Sequence, residues 1–212
     1  VSSNINYFEE WLTTIIKPCC IVYSSQKAKD IISKNNLTPS EYLRPFGDFQ
    51  DLPIPSPFNR NLINSFKLDF IDKDRIGIFG WSYGGYMSTL CITKGADYFK
   101  TAIAVAPVTT WRYYDNVYTE RFMRTPQENP SGYDDNSPIN HVEKLKGNYL
   151  LVHGTADDNV HFQNAVDLMT ALIKANKQFE QFSYPNKNHG IYGGNTRLHL
   201  YTLMTDFIFR KL

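Results

Sequence analysis

An α/β fold, with a mainly parallel sheet and helices on both faces, is predicted for the larger part of this chain by two observations. From residue 71 onward, short apolar runs alternate with helical patterns. The run at residues 101–108 is apolar almost throughout, as strands are when both faces of their sheet are covered. Right-handed crossovers lay such strands side by side. The first 70 residues lack this rhythm and read as a mixed α/β segment preceding the sheet.

Within that first segment, residues 4–17 place Phe8, Trp11, Leu12, Ile15 and Ile16 on one helical face, and residues 19–23 form a short buried strand. A second helix follows Ser24 and Ser25 and runs to about residue 34. Thr38, Pro39, Ser40 and Glu41 make a capping box with proline at the first helical position, so a third short helix begins there and stops before Pro45. Pro53, Pro55 and Pro57 remove backbone donors across residues 51–60, which therefore read as an extended linker. The domain boundary is placed nearby, giving segments 1–70 and 71–212. Phe66, Leu68 and Phe70 alternate with polar residues at the period of a half-buried strand. Beyond the boundary, strands are expected at 76–79, 101–108, 149–152 and 179–184, and helices at 83–93, 162–175 and 197–210.

The chain has 212 residues and a net charge of +1 with acids and bases interspersed. That balance argues against nucleic acid or an anionic membrane as the main partner and for a peptide or small molecule. No apolar run is long enough to span a bilayer, so no transmembrane segment is expected. Val1 stands where an initiator Met would be, and no basic, then apolar, leader follows; the chain reads as a fragment or processed product. Cys19, Cys20 and Cys91 make neither a metal knuckle nor a disulfide framework; no metal and no cofactor are expected.

Chemistry enters at Gly80, Trp81, Ser82, Tyr83 and Gly84, a G-x-S-x-G run between an expected strand and an expected helix. This is the pattern of a nucleophile elbow, where the chain turns so sharply that side chains at the flanking positions would collide. A serine hydroxyl is a poor nucleophile at neutral pH and needs a base, itself oriented by a third group. In the α/β-hydrolase order, acid and then histidine follow the serine on loops after later strands. The strand at 149–152 runs into Asp157 and Asp158, and the strand at 179–184 runs into His189. The expected fold is thus the C-terminal half of an α/β-hydrolase sheet, with Ser82 as nucleophile and His189 as base.

Bland readings compete at each position. Ser82 could cap a helix, His189 could be a solvated loop residue, and Asp157 and Asp158 could be a turn or an N-cap; spacing does not separate the two aspartates. His141, His153, His161 and His199 read as structural. Trp111, Tyr113, Tyr114 and Tyr118 follow the second strand. Aromatics at such spacing are more often core than pocket, yet here they lie just above the elbow and could wall an apolar specificity pocket with phenol handles.

From residue 71 to 212 the sequence resembles the catalytic domain of the dipeptidyl-peptidase-IV type within the prolyl oligopeptidase family of serine peptidases. The residues that carry the resemblance are Gly80 to Gly85, Val105 to Val108, Trp111 to Asp115, Val117 to Arg121, His153 to His161 and Asn188 to Gly190. It implies Asp157 as the orienting acid and the backbone N–H of Tyr83 as an oxyanion donor. It also implies a pocket for proline or alanine lined by Val108, Trp111, Tyr114, Tyr118 and Val160, with Asn159 on the substrate backbone. The implied activity is release of N-terminal dipeptides from peptides with penultimate proline or alanine. A homodimer through the terminal helix and an extracytoplasmic setting are further implications.

Two family features are not recognisable in this sequence: an upstream tyrosine that supplies the second oxyanion donor, and a β-propeller whose glutamates bind the substrate amine. Residues 1–70 instead resemble, through Pro18 to Tyr23, Asn35 to Leu37 and Glu41 to Phe46, the N-terminal region of a large subunit of the TRAPP vesicle-tethering complex. Two unrelated pieces joined near Phe70 are therefore expected. The contrasting reading is a non-catalytic scaffold with an inert hydrolase half and a trafficking contact at its N-terminus. Independent reads of genomic and transcript DNA across the codons of Asn64 to Asp74 test the join: a break marks an artefact, and uninterrupted reads from several sources mark a native fusion.

Overall fold

The computed structural model describes residues 72–212 and the two-residue strand Cys20–Ile21. The helices expected at 4–17, after Ser25 and at 38–44, the linker 51–60 and the strand at 66–70 lie outside the described residues. Five strands form one sheet in the order β1 (Cys20–Ile21), β2 (Gly77–Trp81), β3 (Thr101–Val105), β4 (Asn148–Gly154) and β5 (Glu180–Tyr184). β2 to β5 are parallel, and β1 pairs antiparallel with β2, setting Cys20 opposite Phe79 and Ile21 opposite Ile78. The helices are α1 (Tyr83–Lys94), α2 (Asn116–Met123), α3 (Pro130–Asp134), α4 (Gln163–Lys174) and α5 (Thr196–Lys211).

Strand alternation sorts the core into two layers. Ile78, Ala102, Ala104, Tyr149 and Leu151 pack with Cys91 and Ile92 of α1 and with Ala165, Leu168 and Leu172 of α4. The intervening residues Ile103, Val105, Leu150 and Val152 pack on the other face against Leu200, Met204 and Phe207 of α5. Full burial of a side chain such as Leu168 or Phe207 contributes roughly 1.5–3 kcal/mol, so both layers are needed to hold the strands. α1 is buried on nearly every side, and its hydroxyls find partners there: Ser88 Oγ lies 3.1 Å from the Ile103 carbonyl oxygen, and Thr89 Oγ1 lies 2.8 Å from the Tyr149 hydroxyl.

Most expected elements fall within two residues of the observed ones. The main difference is β3, which ends at Val105 instead of residue 108. Ala106 takes φ 46° and donates its N–H to the Val152 carbonyl at 2.7 Å, after which Pro107 leads the chain off the sheet. Residues 106–110 nonetheless stay buried, which is why the apolar run outlasts the strand. In the register, Trp81 lies opposite Val105, Val105 opposite Val152 and Val152 opposite Phe182. β2 and β3 thus end together, β4 and β5 run on to end together at Gly154 and Tyr184, and the segments that follow emerge along one edge of the sheet.

Candidate active site

The turn from β2 into α1 is strained at one residue. Ser82 has φ 59° and ψ −117°, a region that non-glycine residues occupy only when their surroundings enforce it. The enforcing contacts are visible: Ser82 N–H donates to the Val105 carbonyl at 2.8 Å, and the Ser82 carbonyl accepts from Tyr86 N–H at 3.0 Å. A Cβ at Gly80 would sit 1.9 Å from the Gly84 carbonyl oxygen, so only glycine allows helix and strand to close so tightly. Tyr83 is the first residue of α1, and N–H groups of a first helical turn lack intrahelical acceptors and are suited to negative charge.

The acid arrives on the loop after β4. Asp157 Oδ1 accepts from Asn159 N–H at 3.0 Å and Val160 N–H at 2.9 Å, and Oδ2 lies 2.8 Å from His189 Nδ1. Burial works to raise the Asp157 pKa. Hydrogen bonds from His153 and His189, the His189 charge and the Asn159 N–H outweigh it and hold the carboxyl well below the ordinary carboxylate range. Of the two aspartates that spacing does not separate, Asp157 is buried and bonded to His189, whereas Asp158 is exposed.

His189 arrives on the loop after β5, which is stitched to the Asp157 loop by its backbone. Thr155 N–H donates to the Tyr184 carbonyl at 3.0 Å and Ala156 N–H to the Lys187 carbonyl at 3.1 Å. A Cβ at Gly154 would lie 2.2 Å from the Lys187 carbonyl oxygen, so this close approach also requires glycine. The His189 carbonyl accepts from Trp81 Nε1 at 3.0 Å, and Trp81 is the residue immediately before Ser82. The Arg197 guanidinium sits 5.3 Å from the centre of the Trp81 ring, within cation–π range. His189 is thereby held at the elbow from one side and bonded to Asp157 from the other. Among the described residues no hydrogen bond joins its ring to Ser82 Oγ; such contacts commonly tighten only when substrate is bound.

An aromatic cluster stands beside the elbow. Trp111 packs against Tyr83, Tyr86 and Tyr114 with centroids 5.5, 5.3 and 5.8 Å away, and stacks on Tyr118 at 6.0 Å. Asp115 caps α2 by accepting from Tyr118 N–H at 2.8 Å, which fixes where the Tyr118 ring begins. A shallow apolar cleft, open to solvent, is lined by Tyr83, Trp111, Tyr118, Thr119, Phe122 and Met123. Of the expected pocket residues, Trp111 and Tyr118 line this cleft, while Val108 and Val160 are buried in the cluster beneath it. Tyr114 packs on the cluster and donates its hydroxyl to Asn159 Oδ1 at 2.7 Å, joining two expected substrate-binding residues. The Tyr83 ring, Phe122 and Met123 were not anticipated as cleft walls; the four-residue step from Tyr118 to Phe122 is their one sequence signal. Among the described residues no cluster of three or more His, Cys, Asp or Glu could hold a metal, and no helix is long and apolar enough to cross a membrane.

Comparison with known sequences matches residues 62–212 to the prolyl oligopeptidase family. The chain belongs to that family. Relatives include a prolyl endopeptidase FAP of Mus musculus and a dipeptidyl peptidase 4 of Felis catus, each 47% identical over 145 residues. The aligned region is 67% of this chain and 19% of each relative, so the chain spans about a fifth of their length. The solved dipeptidyl peptidase 4 of Porphyromonas gingivalis is 53% identical with a TM-score of 0.69, covering 70% of this chain and 21% of that one. A putative dipeptidyl aminopeptidase IV from Bacteroides ovatus is 33% identical with a TM-score of 0.73, covering 81% and 24%. The family match begins at residue 62, upstream of the boundary expected near residue 70.

The depressed Asp157 carboxyl makes stability depend on pH in a defined sense. Its folded pKa lies below the unfolded value, near 4, so its stabilisation is fully present above that value and is lost as pH falls through and below it. Urea midpoints measured between about pH 6 and pH 3 should fall more steeply for the wild type than for Asp157→Asn; equal slopes contradict the assignment of Asp157 as the buried, multiply bonded acid.

Proposed function

We propose that this chain carries the catalytic apparatus of a serine peptidase of the dipeptidyl peptidase type, with Ser82 as nucleophile, His189 as base and Asp157 as orienting acid. The observation that carries the reading is the position of His189: Nδ1 is bonded to Asp157 at 2.8 Å while its own carbonyl is tied to Trp81, the neighbour of Ser82. With Nδ1 occupied, Nε2 is the nitrogen left to accept a proton.

In this reading Ser82 Oγ attacks the carbonyl carbon of the peptide bond and His189 Nε2 takes the hydroxyl proton. The negative charge on the former carbonyl oxygen is met by Tyr83 N–H at the start of α1. Collapse of the tetrahedral intermediate breaks the C–N bond, and His189 delivers its proton to the leaving amine. Water, deprotonated by the same imidazole, then hydrolyses the acyl-enzyme. Were Tyr83 N–H the one oxyanion donor, turnover would be on the order of 100- to 1000-fold below that of a site with two.

The substrate class follows the family and the cleft. An apolar cleft beside the elbow suits a small cyclic or short side chain, proline or alanine, and in this reading Asn159, whose Oδ1 accepts from the Tyr114 hydroxyl, meets substrate backbone. The same reading includes a homodimer through α5, supported by Leu198 and Phe209, which are 70% and 84% exposed. It keeps a boundary near residue 70, with Cys20–Ile21 of the first segment pairing at the edge of the sheet and the family match reaching back to residue 62.

A fluorophosphonate probe should label the wild type at Ser82 and leave Ser82→Ala unlabelled; no Ser82-dependent adduct would favour the inert scaffold. A Gly-Pro chromogenic substrate should turn over faster than its N-blocked analogue, and equal rates would argue for an endopeptidase. Light scattering should give a dimer mass that Phe209→Glu reduces to that of a monomer; a monomeric wild type removes the dimer from the proposal.

A further inference from the structure

We infer that His153 is a positioning residue for the acid, a second imidazole on the Asp157 carboxylate that keeps the oxygen facing His189 in place. The inference rests on the triad reading above. His153 lies near the end of β4 and is 1% exposed. Its Nε2 lies 2.8 Å from the Val160 carbonyl oxygen and 3.2 Å from Asp157 Oδ2.

Both neighbours of Nε2 are acceptors, a carbonyl oxygen and an ionised carboxylate, so Nε2 must carry the hydrogen. Nδ1 is buried and has no partner. A proton there would be a buried donor without an acceptor, which is costly, so the ring is confined to the Nε2–H form. That single N–H is shared between the carbonyl and the carboxylate. The Phe162 ring meets the imidazole edge-on at 5.6 Å and 88° and restricts its rotation.

The count of donors around Asp157 then closes. A carboxylate offers about four lone-pair sites. Oδ1 receives Asn159 N–H and Val160 N–H; Oδ2 receives His189 and His153. With two donors on each oxygen the group is held against rotation about its last torsion, and Oδ2 stays aimed at His189 Nδ1. An apolar residue at position 153 would leave Oδ2 with one donor and let the carboxylate rock. A lysine would bring a positive charge that competes with His189 for the carboxylate. The neutral, planar N–H of the buried ring supplies the bond without the competing charge. Val160 completes the connection: its N–H binds Asp157, its carbonyl binds His153, and its side chain is buried beneath the cleft. His153 thus also ties the acid to the buried cluster beneath the cleft.

The test uses the full chain, as wild type, His153→Leu, which fills the site without a donor, and His153→Gln, whose amide can replace the Nε2–H. Long-range ¹H–¹⁵N spectra of the wild type should show His153 in the Nε2–H form. The downfield Nδ1–H resonance of His189 should move in His153→Leu and return toward its wild-type position in His153→Gln. Fluorophosphonate labelling of Ser82 should slow about tenfold or more in His153→Leu, with its acid limb displaced to higher pH, and recover to within about threefold of wild type in His153→Gln. The sign of the displacement follows from the carboxylate, which with one donor fewer holds the proton on His189 more strongly.

His153 in the Nδ1–H form overturns the inference. So does a folded His153→Leu with the wild-type resonance and pH profile. Equal slowing in both variants, with acid limb and resonance unmoved, is the mark of a purely structural histidine and overturns it as well. Should His153→Leu fail to fold, the wild-type tautomer and the His153→Gln measurements decide by the same criteria. A wild type that does not label at Ser82 defeats the triad reading on its own, while the tautomer and the His189 resonance still report on His153.

Discussion

The site depends on the close approach of two loops, those following β4 and β5. Gly154 allows it, since any larger residue would press on the Lys187 carbonyl, and the backbone bonds from Thr155 and Ala156 lock it. Only then can a buried carboxylate on one loop reach an imidazole on the other at 2.8 Å. A buried carboxylate is tolerable because it is fully bonded; with fewer donors its desolvation would push it toward the neutral acid, which orients a histidine poorly.

The sheet supplies the common edge on which this happens. Because the four parallel strands are in register, the elbow, the aromatic cluster, the acid loop and the base loop all leave the sheet along one edge. The strained Ser82 backbone is maintained by the same architecture, through its bond to the end of β3 and the tight packing of α1. Trp81 then joins the elbow to the base loop directly, so the two halves of the site are not placed independently.

Much of this was legible in the amino-acid sequence. The alternation of strands and helices beyond residue 71, the elbow between β2 and α1, and the positions of Asp157 and His189 on later loops all follow from pattern and chain order. What stayed closed had physical reasons. Asp157 and Asp158 are chemically identical neighbours, and only burial and partners separate them. The end of β3 was hidden because residues 106–110 are buried without being strand. His153 reads as an ordinary core histidine, since nothing in its spacing reveals that a loop four residues on folds back to place Oδ2 of Asp157 at 3.2 Å. The Trp81 to His189 bond spans 108 positions and leaves no local trace.

In the proposed mechanism Ser82, His189 and Asp157 act as one proton-transfer unit. A crystal structure of the chain after reaction with a peptidyl phosphonate bearing proline at the reacting position tests it most directly. Phosphorus should be bonded to Ser82 Oγ, with a phosphonyl oxygen at Tyr83 N–H and His189 Nε2 within about 3 Å of a phosphonate oxygen. Phosphorus on another residue, or an imidazole turned away from Ser82 with its bond to Asp157 intact, would contradict it.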